Sequence, residues 1–167
     1  MINRHPHVFK KEEKSVNTAE ELLLKWDELK KKEKGYNGLI DEMKGVTKGL
    51  PALLRAHKVQ GKARKIGFDF PNVEEALNKV SEETKEVKDV YNMPNVDKIQ
   101  EEVGDLLFSV VNVARILGID EEIALNKTID KFIDRISFIE REAKEQNKQL
   151  LELSIEEMDK IWEKSKK

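Results

Sequence analysis

Apolar side chains recur every three or four positions over long stretches of this chain, and short segments rich in Gly, Pro and Asn interrupt them. That pattern predicts helices joined by brief loops. Leu22, Trp26 and Leu29 at helical spacing predict a first helix from Thr18 to about Lys34, with Gly35 as its stop. Ahead of it, residues 1 to 17 are mixed and charged and read as a loose arm, in which His5 and His7 have metal-binding capacity against the plainer reading of an exposed arm. Gly35 to Gly49, with four glycines and weak periodicity, reads as a loop.

Pro51 suits a helix N1 position and opens a helix to about Ile66, which Gly67 ends. Asn72 caps a helix to about Tyr91 with the apolar stripe Val73, Leu77, Val80, Thr84 and Val87. Beyond Pro94, Asn95 caps another to Leu117, striped by Ile99, Val103, Leu106 and Val110 and stopped by Gly118. Asp120 starts a long helix to about Gln146, with Ile123, Ile129, Phe132, Ile136 and Ile139 apolar. Ser154 and Glu157 form a capping box for a last short helix carrying Trp162. Four such helices with short connections predict an all-α fold, an antiparallel helical bundle. The expected division is an arm, helix and loop over 1–49 and a helical domain over 50–167. No internal repeat is apparent.

Composition sharpens this picture. Charged residues are 38% of the 167, aromatics 6%, and the net charge is only −2, a balance of salt-bridged soluble helices and not of a duplex nucleic-acid binder. With no cysteine, disulfides, thiolate zinc sites and a cysteine nucleophile are excluded, which fits a reducing compartment. No apolar run approaches the roughly 20 residues needed to span a bilayer, so no membrane partner and a cytoplasmic location are expected.

The candidate chemistry is acidic. Glu83 and Glu86 stand three apart on one helix face beside the acidic Glu82, and Glu102 and Asp105 repeat the spacing on the next helix. An antiparallel pair of helices would gather four carboxylates, a repulsive cluster unless divalent cations neutralise it; Mg2+ with oxygen ligands suits, with Mn2+ as a substitute. Ser109 and Asn112 continue the polar line of Asp105 along a helix otherwise apolar, either as the lining of a ligand pocket or, for Asn112, as a satisfied core amide. Glu-x-x-Asp also occurs at Glu86 to Asp89 and Glu156 to Asp159, so the plain alternative for any one acidic pair is a solvated helix face.

Glu82-Glu83-x-x-Glu86, fifteen residues, then Glu102-x-x-Asp105 resembles the signature of MazG-type nucleotide pyrophosphohydrolases. EEVGDLLFSVVNVARILGIDEEIALNKTIDKFIDRI is similar to the MazG core, LPALLRAHKVQGKARKIGFDFP to the segment before it, and HPHVF and EEMDKIWEKSK to segments near its ends. The resemblance implies an all-α dimer in which Glu83, Glu86, Glu102 and Asp105 hold magnesium bridging the substrate phosphates, with Glu82 matching the first signature glutamate. It also implies that Lys98, Lys131 and Arg135 contact the triphosphate while Trp162 and Lys166 close over the nucleotide. Lys131 and Arg135 at i, i+4 would serve phosphate oxygens, although an ordinary charged surface, an ion pair of Lys98 with Glu102, and Trp162 as a packing anchor are the bland readings of the same residues. Many MazG proteins carry two related halves and this chain carries one set of motifs, reading as a C-terminal half or a short natural form. After HPHVF, Lys10, Lys11 and Glu12 depart from the Gly-Asp pair expected there.

The implied activity is magnesium-dependent hydrolysis of nucleoside triphosphates to monophosphate and pyrophosphate in nucleotide-pool house-cleaning, by a homodimer. The alternatives are a narrower enzyme for dUTP, dCTP or phosphoribosyl-ATP, and a non-catalytic nucleotide-binding regulatory module. Di-iron bundles also gather glutamates, but their Glu-x-x-His pairs are missing.

Overall fold

The computed structural model describes Leu29, Glu33 and residues 35–166. Apart from Leu29 and Glu33, both helical, the first helix expected over Thr18 to Lys34 lies outside the described residues, as do His5, His7 and the HPHVF segment. The chain divides into two compact units, Met1–Pro71 and Asn72–Lys167. No strand occurs among the described residues, in keeping with the all-α expectation, and none of their helices is long and apolar enough to cross a membrane.

In the first unit, helices α1 (Leu39–Lys44) and α2 (Ala52–Arg64) pack on one another. α1 corrects the reading of residues 35 to 49 as a loop. Its two flanking glycines, Gly38 and Gly45, hid a six-residue run that Asp41 helps to start by accepting the Asn37 N–H at 3.0 Å. Tertiary contact then holds it, because buried Glu42 pairs with Lys62 of α2 at 2.8 Å. Gly67 lies in the left-handed region at φ 81°, a conformation that ends the chain's helical run cheaply only because it has no Cβ.

The second unit begins at α3 (Val73–Val90), capped by Asn72, whose side chain accepts the Glu75 N–H at 2.9 Å. Tyr91 to Asn95 turn the chain into α4 (Val96–Ile116), and α3 and α4 form the most extensive helix pair among the described residues. α5 (Glu121–Glu145) follows an Asp120 cap and touches α4 only slightly. A short 3-10 turn, Leu150–Glu152, returns the chain to α6 (Ile155–Lys164). The expected box closes its start, with Ser154 N–H to Glu157 at 2.9 Å and Glu157 N–H to Ser154 Oγ at 3.2 Å. α6 packs back on the end of α5 through Ile139, Ala143, Leu153 and Ile161, flanked by Phe138, Leu150, Met158 and Trp162.

Burial runs differently from the simple apolar stripes. On α3 the buried positions are Ala76, Glu83 and Val90, while Leu77 is 49% exposed. On α4 they are Glu102, Ser109, Val111 and Arg115, while Val103, Leu107, Phe108 and Val110 are exposed. Of the apolar positions expected on α5, Ile139 is buried and Ile123, Ile129, Phe132 and Ile136 are not. Polar groups of α4 thus face inward and much of its apolar surface, with that of α5, stays open within one chain.

Candidate functional site

Asn72 and Asn95 fix the starts of α3 and α4 locally, and the packing of the two helices on one another sets the register of the hairpin. The hairpin brings Glu83 and Glu86 of α3 beside Glu102 of α4, with one carboxylate oxygen of each inside a common 4.8 Å. Glu83 and Glu102 are buried and Glu86 is half-buried. Asp105 is exposed and stands outside this group. Glu82 is turned outward and pairs with Lys79.

Two lysines hold the buried carboxylates. Lys79 Nζ lies 2.7 Å from Glu83 and 2.8 Å from Glu82, and Lys98 Nζ lies 2.5 Å from Glu102 and 3.1 Å from Glu101. Hydrogen bonds to these acids raise both lysines above their ordinary value, Glu82 and then Glu83 acting on Lys79 and Glu102 and then Glu101 on Lys98. Lys79 in turn pulls Glu83 below the usual carboxylate range against the opposing effect of burial. Glu86 moves the other way. Its hydrogen bond with Glu83, then desolvation and the neighbouring charges of Glu83 and Glu102, favour its protonated form.

The protonation of Glu86 decides how the cluster is satisfied. With Glu86 ionised, neither carboxylate has a hydrogen to donate, and Glu83 Oε2 is buried without a hydrogen-bond partner. A buried anionic acceptor without a donor, facing two further carboxylates, is a costly arrangement that a hard cation relieves. The donor set is all oxygen, which suits Mg2+ or Mn2+ and not a thiolate-seeking or imidazole-seeking metal. The residues present therefore fit a divalent cation.

A second cluster forms between α5 and α6. The Arg135 guanidinium lies 5.0 Å from the Trp162 ring centroid, and Phe132 meets the same ring at 5.5 Å, tilted by 58°. Lys131 is exposed on α5, and Lys166 pairs with Glu163. Asn112 is half-buried on α4, where its Oδ1 accepts from Arg115 Nε at 3.1 Å and Nη2 at 2.5 Å. Ser109 is buried and donates to the Leu106 carbonyl at 2.8 Å. A cavity of about 370 Å³ in the first unit, lined in part by Tyr36, Leu39, Glu42 and Lys65, contains none of the expected site residues.

The residue missed from the sequence is Lys79. A signal for it was present: Lys79-x-x-Glu82-Glu83-x-x-Glu86 and Lys98-x-x-Glu101-Glu102-x-x-Asp105 share one eight-residue spacing on the two helices of the hairpin. The reading that no segment recurs overlooked this octad, because the repeat is only eight residues long.

Residues 72–138 match the family model described as the MazG nucleotide pyrophosphohydrolase domain. The chain is 36% identical over 166 residues to the Nucleoside triphosphate pyrophosphohydrolase of Escherichia coli (strain K12), covering 98% of this chain and 62% of that protein. It is 36% identical over 168 residues to the Nucleoside triphosphate pyrophosphohydrolase/pyrophosphatase MazG of Thermotoga maritima, with 99% and 61% covered. It is 44% identical over 169 residues to the Uncharacterized protein YabN of Bacillus subtilis (strain 168), spanning 99% of this chain and 34% of that one. The chain thus spans somewhat under two thirds of the first two relatives and about a third of the last.

Proposed function

From the premise that this chain belongs to the MazG nucleotide pyrophosphohydrolase family through residues 72–138, we propose that it hydrolyses nucleoside triphosphates to the monophosphate and pyrophosphate in a divalent-metal-dependent reaction. The observation that carries this reading is the convergence of Glu83, Glu86 and Glu102, in which the buried Glu83 Oε2 has no donor once Glu86 is ionised. Such a cluster has a chemical use when it binds a cation and little as a structural element.

Glu83, Glu86 and Glu102 are the proposed ligands of Mg2+, joined by Asp105 on the next turn of α4. The bound cation would supply charge neutralisation at the phosphates and a lowered pKa for water. Lys79 and Lys98, now paired with carboxylates, would exchange those partners for phosphate oxygens once a cation takes over the acids. Lys131 and Arg135 are proposed to meet the outer phosphates, Trp162 and Lys166 to close over the nucleotide, and Asn112 to meet its sugar or base. Water attacks the α-phosphorus and pyrophosphate leaves, with one carboxylate of the cluster accepting the proton. Glu82, turned outward beside the ligands, completes the proposed catalytic set.

A homodimer is proposed on separate grounds. Leu107 and Val110 on α4 and Ile129, Phe132 and Ile133 on α5 are 46 to 55% exposed, more large apolar side chains than single soluble chains usually leave open on two neighbouring helices. The absence of cysteine suits the cytoplasm as the proposed location.

The test is product analysis after incubation with ATP, GTP, CTP, UTP and their deoxy forms, with magnesium and with chelator. Monophosphate plus pyrophosphate appearing only with magnesium supports the proposal, and the panel then ranks the bases. Diphosphate plus phosphate refutes the site of cleavage. Glu86→Gln should abolish turnover while the helical circular dichroism stays that of the parent, and full activity in that variant would overturn the ligand assignment.

A further inference from the structure

Arg115 is an arginine at the buried end of α4, 8% exposed, in a helix whose neighbouring apolar side chains are largely outside. Two of its nitrogens, Nε and Nη2, converge on a single atom of Asn112 three residues earlier. Both nitrogens can only donate, so the atom they share must be the amide oxygen; the flipped amide would set donors against donors. This fixes the polarity of Asn112. Its Oδ1 is consumed by the guanidinium, and its NH2 group, with two hydrogens, is directed away from Arg115.

The position of Asn112 relative to Asp105, the α4 acid proposed to join the cluster, follows from helix geometry. At about 100° per residue, Asn112 returns to within roughly 20° of Asp105 around the α4 axis and stands about 10 Å further along it. Ser109 between them is buried with its hydroxyl bound to the Leu106 carbonyl, so it offers its lone pairs and no proton to that face. A nucleotide whose phosphates rest at the carboxylates has its sugar and base one or two helical turns away, which is where Asn112 sits.

We propose that Arg115 is a positioning residue that locks the Asn112 amide as a pure hydrogen-bond donor toward an oxygen acceptor on the sugar or base of the bound nucleotide. The inference rests on the nucleotide reading of the α3 and α4 hairpin and deepens it. Arg115 never touches the substrate; it acts by removing the amide's freedom to flip, so a substrate group that donates at this point meets two opposing hydrogens and one that accepts meets a fixed partner.

The experiment is a double-mutant cycle, Asn112→Ala against Arg115→Met, in the full chain, reading both KM and kcat for magnesium complexes of ATP, GTP, CTP and UTP and nucleotide Kd by calorimetry. Asn112→Ala should raise KM and Kd about tenfold for the preferred nucleotide, the size of one ordinary hydrogen bond, with kcat little changed. Arg115→Met should do nearly the same, and the double variant should be no worse than either single one. Asn112→Asp guards against a fold defect: it keeps the Arg115 contact as a charged pair and deletes the donor, so it should fold at parental stability and still lose affinity. Arg115→Lys should recover part of the loss.

Multiplying effects in the double variant would overturn the proposal, as would parental KM and Kd in either Asn112 variant. If the parent binds nucleotide without turning it over, the hydrolase reading fails while the Kd arm still judges Arg115. Absence of all nucleotide binding sinks both.

Discussion

Ile161→Ala separates the two halves of the proposed site. Ile161 is 4% exposed and sits in the cluster with Ile139, Ala143 and Leu153 that docks α6 onto α5. The substitution removes three carbons, about 2.4 kcal/mol at roughly 0.8 kcal/mol per buried methylene, and the residual cavity brings the expected loss to about 3 kcal/mol. Because α6 has 10 residues and docks through this cluster, the loss falls on α6 docking before it falls on the α3 and α4 hairpin. Trp162 then leaves Arg135 and Phe132, and KM for the triphosphate should rise while calorimetric magnesium affinity at Glu83, Glu86 and Glu102 stays within twofold of the parent. The assay is urea unfolding followed by Trp162 fluorescence in a Trp26→Phe background. A loss below about 1 kcal/mol together with parental KM would refute the docking argument.

Further outcomes follow from the same structure. Glu86 is raised above the ordinary carboxylate range, so below that raised value cation binding must displace a proton and apparent magnesium affinity should fall, whereas above it the affinity should hold constant. Calorimetry in buffers of different ionisation enthalpy should detect the released proton, and Glu86→Gln should remove it. Leu107→Glu and Ile133→Glu place charges on the open apolar faces of α4 and α5; each should convert the proposed dimer to monomer by light scattering, and an unchanged mass in both would place any dimer contact elsewhere. A Cβ at Gly45 would fall within the Tyr36 phenol, so Gly45→Ala should cost about 1 to 3 kcal/mol in urea unfolding of the first unit, and an unshifted midpoint would show that Tyr36 moves freely.

The local elements were legible because their signals are local. Asn72, Asn95, Asp120 and Ser154 cap the helices they were expected to cap, since a capping side chain needs only the two or three residues after it. The acids were legible as a set, because i, i+3 spacing and the family resemblance both point to Glu83, Glu86 and Glu102. What the tertiary structure decided is everything that depends on how α3 lies against α4. The hairpin register chose which carboxylates share a cation-sized space and left Asp105 exposed outside it. It buried Glu102, Ser109 and Arg115 while turning Leu107 and Val110 outward, the reverse of what hydrophobicity alone assigns to an isolated helix. The short α1 escaped the sequence because six residues between glycines carry too little periodicity, and a partly buried ion pair to Lys62, twenty residues on, supplies the hold that local propensity lacks. Sequence periodicity reports that a face is apolar; only the packed structure reports whether this chain covers that face itself.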